Sequence, residues 1–152
     1  MKKIMIFEDD ATLREMYEKK FSAAGYKVFA LPEASEAVTE AKKKTPDIIL
    51  MDIIMPKIDG FDATKNLMSD PQTSSIPVLV VSNLGDPATI QKALWFGAKD
   101  VLIKSNLTPA QLVRRTQDII DGKPSEHILN PKLIEVLHID HESRPNRKSP
   151  GN

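Results

Sequence analysis

Short apolar runs and longer amphipathic stretches alternate along this chain. Lys3 to Phe7, Lys27 to Ala30, Asp47 to Met51, Pro77 to Val81 and Asp100 to Ile103 are mostly apolar, several rich in Ile and Val, and bounded by turn-forming or charged residues. Runs of that length without polar alternation predict strands buried on both faces. Between them, apolar residues recur at helical spacing: Leu13, Met16, Tyr17 and Phe21 in the first stretch, and Ala34, Ala37, Val38 and Ala41 in the second. A third helix is expected from about Gly60 to Ser69 with Leu67 and Met68 inward. The fourth carries Ile90, Ala93 and Leu94, and the fifth carries Leu112, Val113, Thr116, Ile119 and Ile120. Each presents one apolar stripe, as a helix packed on a sheet requires. Asp86-Pro87 and Thr108-Pro109 each place a capping oxygen before a proline at the first helical position, and Gln111 completes a capping box with Thr108.

Five such alternations imply right-handed crossovers and a parallel sheet covered on both faces. The expected fold is α/β, a flavodoxin-like doubly wound sheet of five strands in the order 2-1-3-4-5 with five helices. Gly122 and Pro124 stop the last helix, so one domain is expected over residues 1–122. A C-terminal tail follows over 123–152, with a short helical piece at 131–138 around Leu133, Ile134 and Leu137 and a disordered remainder from Ile139.

Composition narrows the function classes. At 152 residues, with 41% apolar and 28% charged positions, the chain has room for one core and not for two. Its 21 basic and 21 acidic residues cancel, which removes any net pull toward nucleic acid or an anionic membrane. The lack of cysteine excludes disulfides, thiolate zinc sites and cysteine nucleophiles, and fits a cytoplasmic location. The apolar stretch from Ile4 to Phe7 is too short for a signal-peptide core, and no other stretch is long enough to span a bilayer.

Ligands of an open parallel sheet bind at the carboxyl ends of its strands. Those ends carry Glu8, Asp9 and Asp10 after strand one, Asp52 after strand three, Ser82 after strand four and Lys104 after strand five. Carboxylates brought together from strands one and three repel one another unless a cation neutralises them. Oxygen donors alone suit Mg2+, with Mn2+ as a substitute, better than zinc. The chemistry indicated is attack of an aspartate oxygen on a phosphoryl group. Asp52, alone at the end of a central strand, is the candidate nucleophile, and Glu8 and Asp9 form a pair fit for the metal. Lys104 would pair with phosphoryl oxygens and Ser82 would donate a hydrogen bond to one of them. Taken singly, the features have plainer readings: an acidic triplet is a common helix start, Asp52 is a turn residue before Pro56 and Gly60, and a lone Ser or Lys is ordinary surface.

Four blocks carry a family resemblance: IMIFEDD at Ile4 to Asp10, DIILMDIIMPKIDGFD at Asp47 to Asp62, VLVVSN at Val78 to Asn83, and GAKDVLIKS at Gly97 to Ser105. From about Lys2 to Asp121 the chain resembles the receiver domains of two-component response regulators, whose best-known stand-alone members act in chemotaxis. The resemblance implies that Asp52 is the phosphoacceptor, Asp9 a direct metal ligand, Glu8 a ligand through water, and the Ile54 backbone carbonyl a further ligand. It makes Ser82 the switch hydroxyl and Lys104 the family's lysine. It also implies a histidine kinase or phosphotransfer protein as donor, and a downstream protein reading the face of helix four, strand five and helix five. The chain would be a monomer or a phosphorylation-dependent dimer. It would be no ordinary enzyme, but a phosphoacceptor that assists its own phosphoryl transfer and dephosphorylation.

Four positions depart from the usual pattern or bear on turnover. Ser105 stands where the family has a proline, often behind a cis bond that would cost about 3 kcal/mol before serine, so that loop is expected to differ. Asn83 replaces a small residue beside the phosphoryl site, and Val101 replaces an aromatic that swings inward on activation. Ile54, apolar where the attacking water sits, predicts slow autodephosphorylation. Two other readings compete. A haloacid-dehalogenase-like phosphohydrolase needs a second aspartate two residues after the nucleophile, where this chain has Ile54. A receiver that has lost phosphorylation would not be expected to keep Glu8, Asp9, Asp52, Ser82 and Lys104 together. His127, His138 and His141 read as solvated tail residues rather than a metal or relay site.

Overall fold

The computed structural model describes residues 1–124. Its strands are β1 (Lys3–Phe7), β2 (Lys27–Leu31), β3 (Ile48–Asp52), β4 (Val78–Ser82) and β5 (Asp100–Ile103). Its helices are α1 (Ala11–Ala23), α2 (Ala37–Lys44), α3 (Gly60–Ser69), α4 (Pro87–Trp95) and α5 (Pro109–Ile120). All strand pairs are parallel, in the order β2-β1-β3-β4-β5. This is the doubly wound, flavodoxin-like arrangement that the hydrophobic pattern predicts.

Alternate residues of each strand point to opposite faces, so the sheet divides the interior in two. Met5, Phe7, Ile49, Met51, Val78, Val80 and Val101 pack with the inner residues of α2, α3 and α4. Ile4, Ile6, Ile48, Leu50, Leu79, Val81 and Leu102 pack against Tyr17 and Phe21 of α1 and Leu112 and Ile119 of α5. Burial on both faces explains why β3 and β4 carry no polar residue before their last positions, whereas β2, at the sheet edge, is only half-buried and not covered on both faces as its apolar run predicts.

Three strands run one residue further than the sequence predicts, and two of them also begin one residue later. Pro77 has no N–H to give to the ladder, and the Asp47 side chain accepts from the Lys3 N–H at 2.8 Å, so neither continues the pattern. At the other end Asp52 is in register with Val81, and Ser82 with Ile103. Asp52 and Ser82 are therefore the last residues of their strands rather than loop residues, with their backbones paired in the sheet beneath the site. In β2 the added residue is Leu31, in register with Phe7.

The second helix is shorter than expected. Ala34 is buried but precedes α2 in a turn, where the Ser35 N–H donates to the Glu33 carboxylate and the Ala37 N–H to the Ala34 carbonyl. The caps of α4 and α5 form as predicted: Asp86 accepts from the Thr89 N–H, and Thr108 and Gln111 make the reciprocal pair of a capping box. After α5 the chain turns at Gly122, with φ +82°, a conformation that favours glycine. The 131–138 piece and the three histidines lie outside the described residues. Among the described residues no helix is long and apolar enough to cross a membrane.

Candidate functional site

The carboxyl ends of β1, β3, β4 and β5 open into a cleft of about 290 Å³ lined by Glu8, Asp9, Asp10, Asp52, Ile54, Ser82, Asn83 and Lys104, among others. Every side chain that the sequence singles out for phosphoryl chemistry is on that lining. One carboxylate oxygen from each of Glu8, Asp9 and Asp52 falls within 4.8 Å of the others. Glu8 is 2% exposed and Asp52 7%, whereas Asp9 is open to solvent.

Lys104 reaches into this acidic group from the end of β5. Its Nζ lies 2.8 Å from Glu8 Oε1 and 3.2 Å from Asp52 Oδ2. Burial pushes the Glu8 carboxyl above its ordinary range and the Asp52 charge adds to the push, outweighing the Lys104 hydrogen bond that opposes it. For Lys104, burial alone would favour the neutral amine. The hydrogen bond to Glu8 and the charges of Asp52 and Glu8 outweigh it and move the ammonium above its ordinary range. Three carboxylates against one ammonium leave about two negative charges when all are ionised. An all-oxygen donor set with that deficit fits a hard divalent cation such as Mg2+ or Mn2+.

Asp10, the third acid of the run, is used differently. Its carboxylate caps α1 by accepting from the Leu13 N–H at 2.9 Å, and its own N–H donates to Glu8 Oε2 at 3.2 Å. The triplet thus divides its two readings: Asp10 starts α1, whereas Glu8 and Asp9 supply two of the three carboxylates that could hold a metal ion. Ser82 is buried, and its Oγ accepts from the Leu84 N–H at 2.9 Å. Ile54 is 66% exposed on the rim of the cleft, and Asn83 is exposed beside it.

The other departures also have a place. Lys104–Asn106 form a single 3-10 turn, with no cis peptide bond among the described residues. Val101 is fully buried in the core shared with α2, α3 and α4.

Two contributors escape a strand-end reading. Gly60, the first residue of α3, packs so closely under the phosphoacceptor candidate that an added Cβ would run into the Asp52 carbonyl oxygen and lie 2.8 Å from the Ile53 Cα. The Asp59-Gly60 pair was visible in the sequence, but nothing local indicated which backbone it meets. Arg14 is the other. Its Nη1 donates to the Glu8 carbonyl at 2.9 Å and the Asp9 carbonyl at 3.3 Å. Its position four residues after the Asp10 cap was the available signal, because helix side chains lean back toward the N-terminus.

Comparison with known proteins gives the family and agrees with the fold. The family model for the response regulator receiver domain matches residues 4–117. The chain is 37% identical over 105 residues to the chemotaxis protein CheY of Thermotoga maritima, covering 68% of this chain and 85% of that one. It is 30% identical over 118 residues to a probable transcriptional regulator, ycf27, of Guillardia theta, covering 78% of this chain and 45% of that one. The chain spans about half the length of the first group of curated relatives it matches. Among solved structures, the chemotaxis response regulator CheY4 of Vibrio cholerae superposes with a TM-score of 0.73 at 28% identity, covering 78% of this chain and 98% of that one.

Proposed function

Because this chain belongs to the response regulator receiver-domain family, we propose that it is a phosphoacceptor switch in which Asp52 takes a phosphoryl group from a histidine kinase or phosphotransfer protein. The observation that carries the reading is the convergence of Glu8, Asp9 and Asp52 on one point with the Lys104 ammonium bonded among them. An Asp52 carboxylate oxygen attacks phosphorus, the bond from phosphorus to the donor nitrogen breaks, and an acyl phosphate forms. Glu8, Asp9, Asp52 and the Ile54 carbonyl would hold Mg2+, which supplies charge neutralisation to the transferring oxygens when bound. Lys104, already 3.2 Å from Asp52 Oδ2, is placed to follow the new negative charge onto the phosphoryl oxygens.

Ser82 links the chemistry to a surface. Its hydroxyl accepts from Leu84 in the following loop and donates to no partner among the described residues, so its proton is available to a phosphoryl oxygen. Turning toward that oxygen exchanges the Leu84 bond and pulls on the segment that leads into α4. The face of α4, β5 and α5 would then present a different surface to a downstream protein. A groove of about 340 Å³ between α1 and the start of α5 shares Leu13, Asn83 and Lys104 with the acidic cleft, and is where a phosphoryl donor would cover the site. The cysteine-free, charge-balanced chain fits action in the cytoplasm without direct nucleic-acid contact. Ile54 on the rim offers no hydrogen bond to an attacking water, so autodephosphorylation is slow.

Borohydride reduction of protein treated with acetyl phosphate and Mg2+, followed by peptide mapping, tests the assignment. Reductive conversion of Asp52 to homoserine is expected. Modification at another acid, or at none, would remove the assignment.

A further inference from the structure

Among the three acids that converge in the cleft, Asp9 is held least directly. The Glu8 carboxylate is bonded by Lys104 and by the Asp10 N–H, and the Asp52 carboxylate pairs with Lys104. The Asp9 carboxylate has no hydrogen bond or ion pair among the described residues, although it comes within 4.8 Å of the other two. With no side-chain partner among the described residues, it starts from a Cα–Cβ bond whose direction is set by the backbone of the loop between β1 and α1. That backbone is gripped from α1, where the Arg14 Nη1 donates to the carbonyls of both Glu8 and Asp9. Those bonds fix the two peptide planes on either side of Asp9. Arg14 is half-buried, and its own N–H is committed to the Asp10 carbonyl, so the guanidinium is carried by the first turn of a capped helix.

We infer that Arg14 is a positioning residue for the divalent-cation site, acting on the cation only through the direction it gives Asp9. The inference rests on the cation-binding reading above. It differs in sign from the plainer expectation. A guanidinium beside a cation site repels the cation, so a purely electrostatic Arg14 would weaken binding and its removal would tighten it. A positioning Arg14 has the opposite effect: its removal lets Asp9 wander and weakens binding by about tenfold, as outer partners of metal ligands commonly do.

Mn2+ titration of the full chain, read by the loss of the free-ion paramagnetic resonance signal, separates the two without any phosphoryl transfer. Arg14→Gln is expected to bind Mn2+ about tenfold more weakly than wild type, and Arg14→Lys to fall between them. Because Arg14 works through Asp9, Arg14→Gln should cause no further loss in an Asp9→Asn background. Tighter or unchanged binding by Arg14→Gln, or an equal loss with and without Asp9, would overturn the inference. Thermal unfolding in chelator checks that the variants fold. Should Arg14→Gln fail to fold, Arg14→Lys carries the test alone, since it keeps the charge and an electrostatic role predicts no change. Wild type that takes up no Mn2+ would overturn the cation-binding reading and this inference with it.

Discussion

Replacing Asp9 by asparagine should make the metal-free protein more stable and the metal-loaded protein less stable than wild type. Its carboxylate lies within 4.8 Å of oxygens of Glu8 and Asp52, and Lys104 is bonded to those two rather than to Asp9. Two like charges at that distance repel by about 0.9 kcal/mol in water and about 3.5 kcal/mol at an effective dielectric of 20. Asp9 is exposed, so the solvent-screened end applies, and the nearby Lys104 offsets part of the sum. A net gain of about 1 kcal/mol follows, or a rise in Tm of about 4 °C for a domain of this size. With Mg2+ at tenfold its Kd, wild type should gain about 1.4 kcal/mol by mass action, whereas the variant, lacking a ligand, should gain little. The assay is thermal unfolding at low ionic strength, followed by circular dichroism in chelator and in saturating MgCl2. The two proteins should exchange order between the conditions. A variant less stable than wild type in chelator, or one that gains as much from Mg2+, would refute the reasoning.

Gly60→Ala forces a methyl group against the Asp52 carbonyl and should cost about 1–3 kcal/mol of stability in denaturant unfolding; an unchanged midpoint would mean that the backbones part without penalty. A pH effect follows from Glu8, whose carboxyl is raised by burial and by Asp52. The folded state then binds a proton more readily than the unfolded state, so metal-free wild type should gain stability relative to Glu8→Gln as pH falls from neutrality toward 4.5. Paired denaturant titrations across that window check the sign, and a relative loss would contradict it. Ile54→Asn gives an attacking water a hydrogen-bond partner and should shorten the acyl-phosphate lifetime by about tenfold in a decay assay. A wild-type half-life of only seconds would contradict the slow turnover expected from Ile54.

The period of the apolar runs carried most of the fold, because central strands such as β3 and β4, buried on both faces, stay apolar and show their first polar residue where the sheet stops. Asp52 and Ser82 were legible for that reason. The one-residue shifts of β3 and β4 were less so, since register depends on the partner strand and on the missing N–H of Pro77. Ala34 fitted the helical spacing of α2 yet belongs to a turn, because its burial comes from tertiary packing and not from its own helix. Arg115 was missed for the opposite reason. It sits on the inner side of α5 as a buried partner of Asp100, with bonds of 3.0 and 2.8 Å to Asp100 Oδ2. No periodicity argument assigns a charged residue to a core, and the pair is visible only once strand and helix are brought together. Arg14 and Gly60 share this difficulty, since both act on backbone atoms rather than on side chains the sequence displays.

The most direct test of the central claim is the intact mass of the protein after incubation with acetyl phosphate, with and without Mg2+, for wild type and Asp52→Asn. A Mg2+-dependent gain of one phosphoryl group in wild type, absent from the variant, is the predicted result. No gain in wild type, or the same gain in Asp52→Asn, would contradict it.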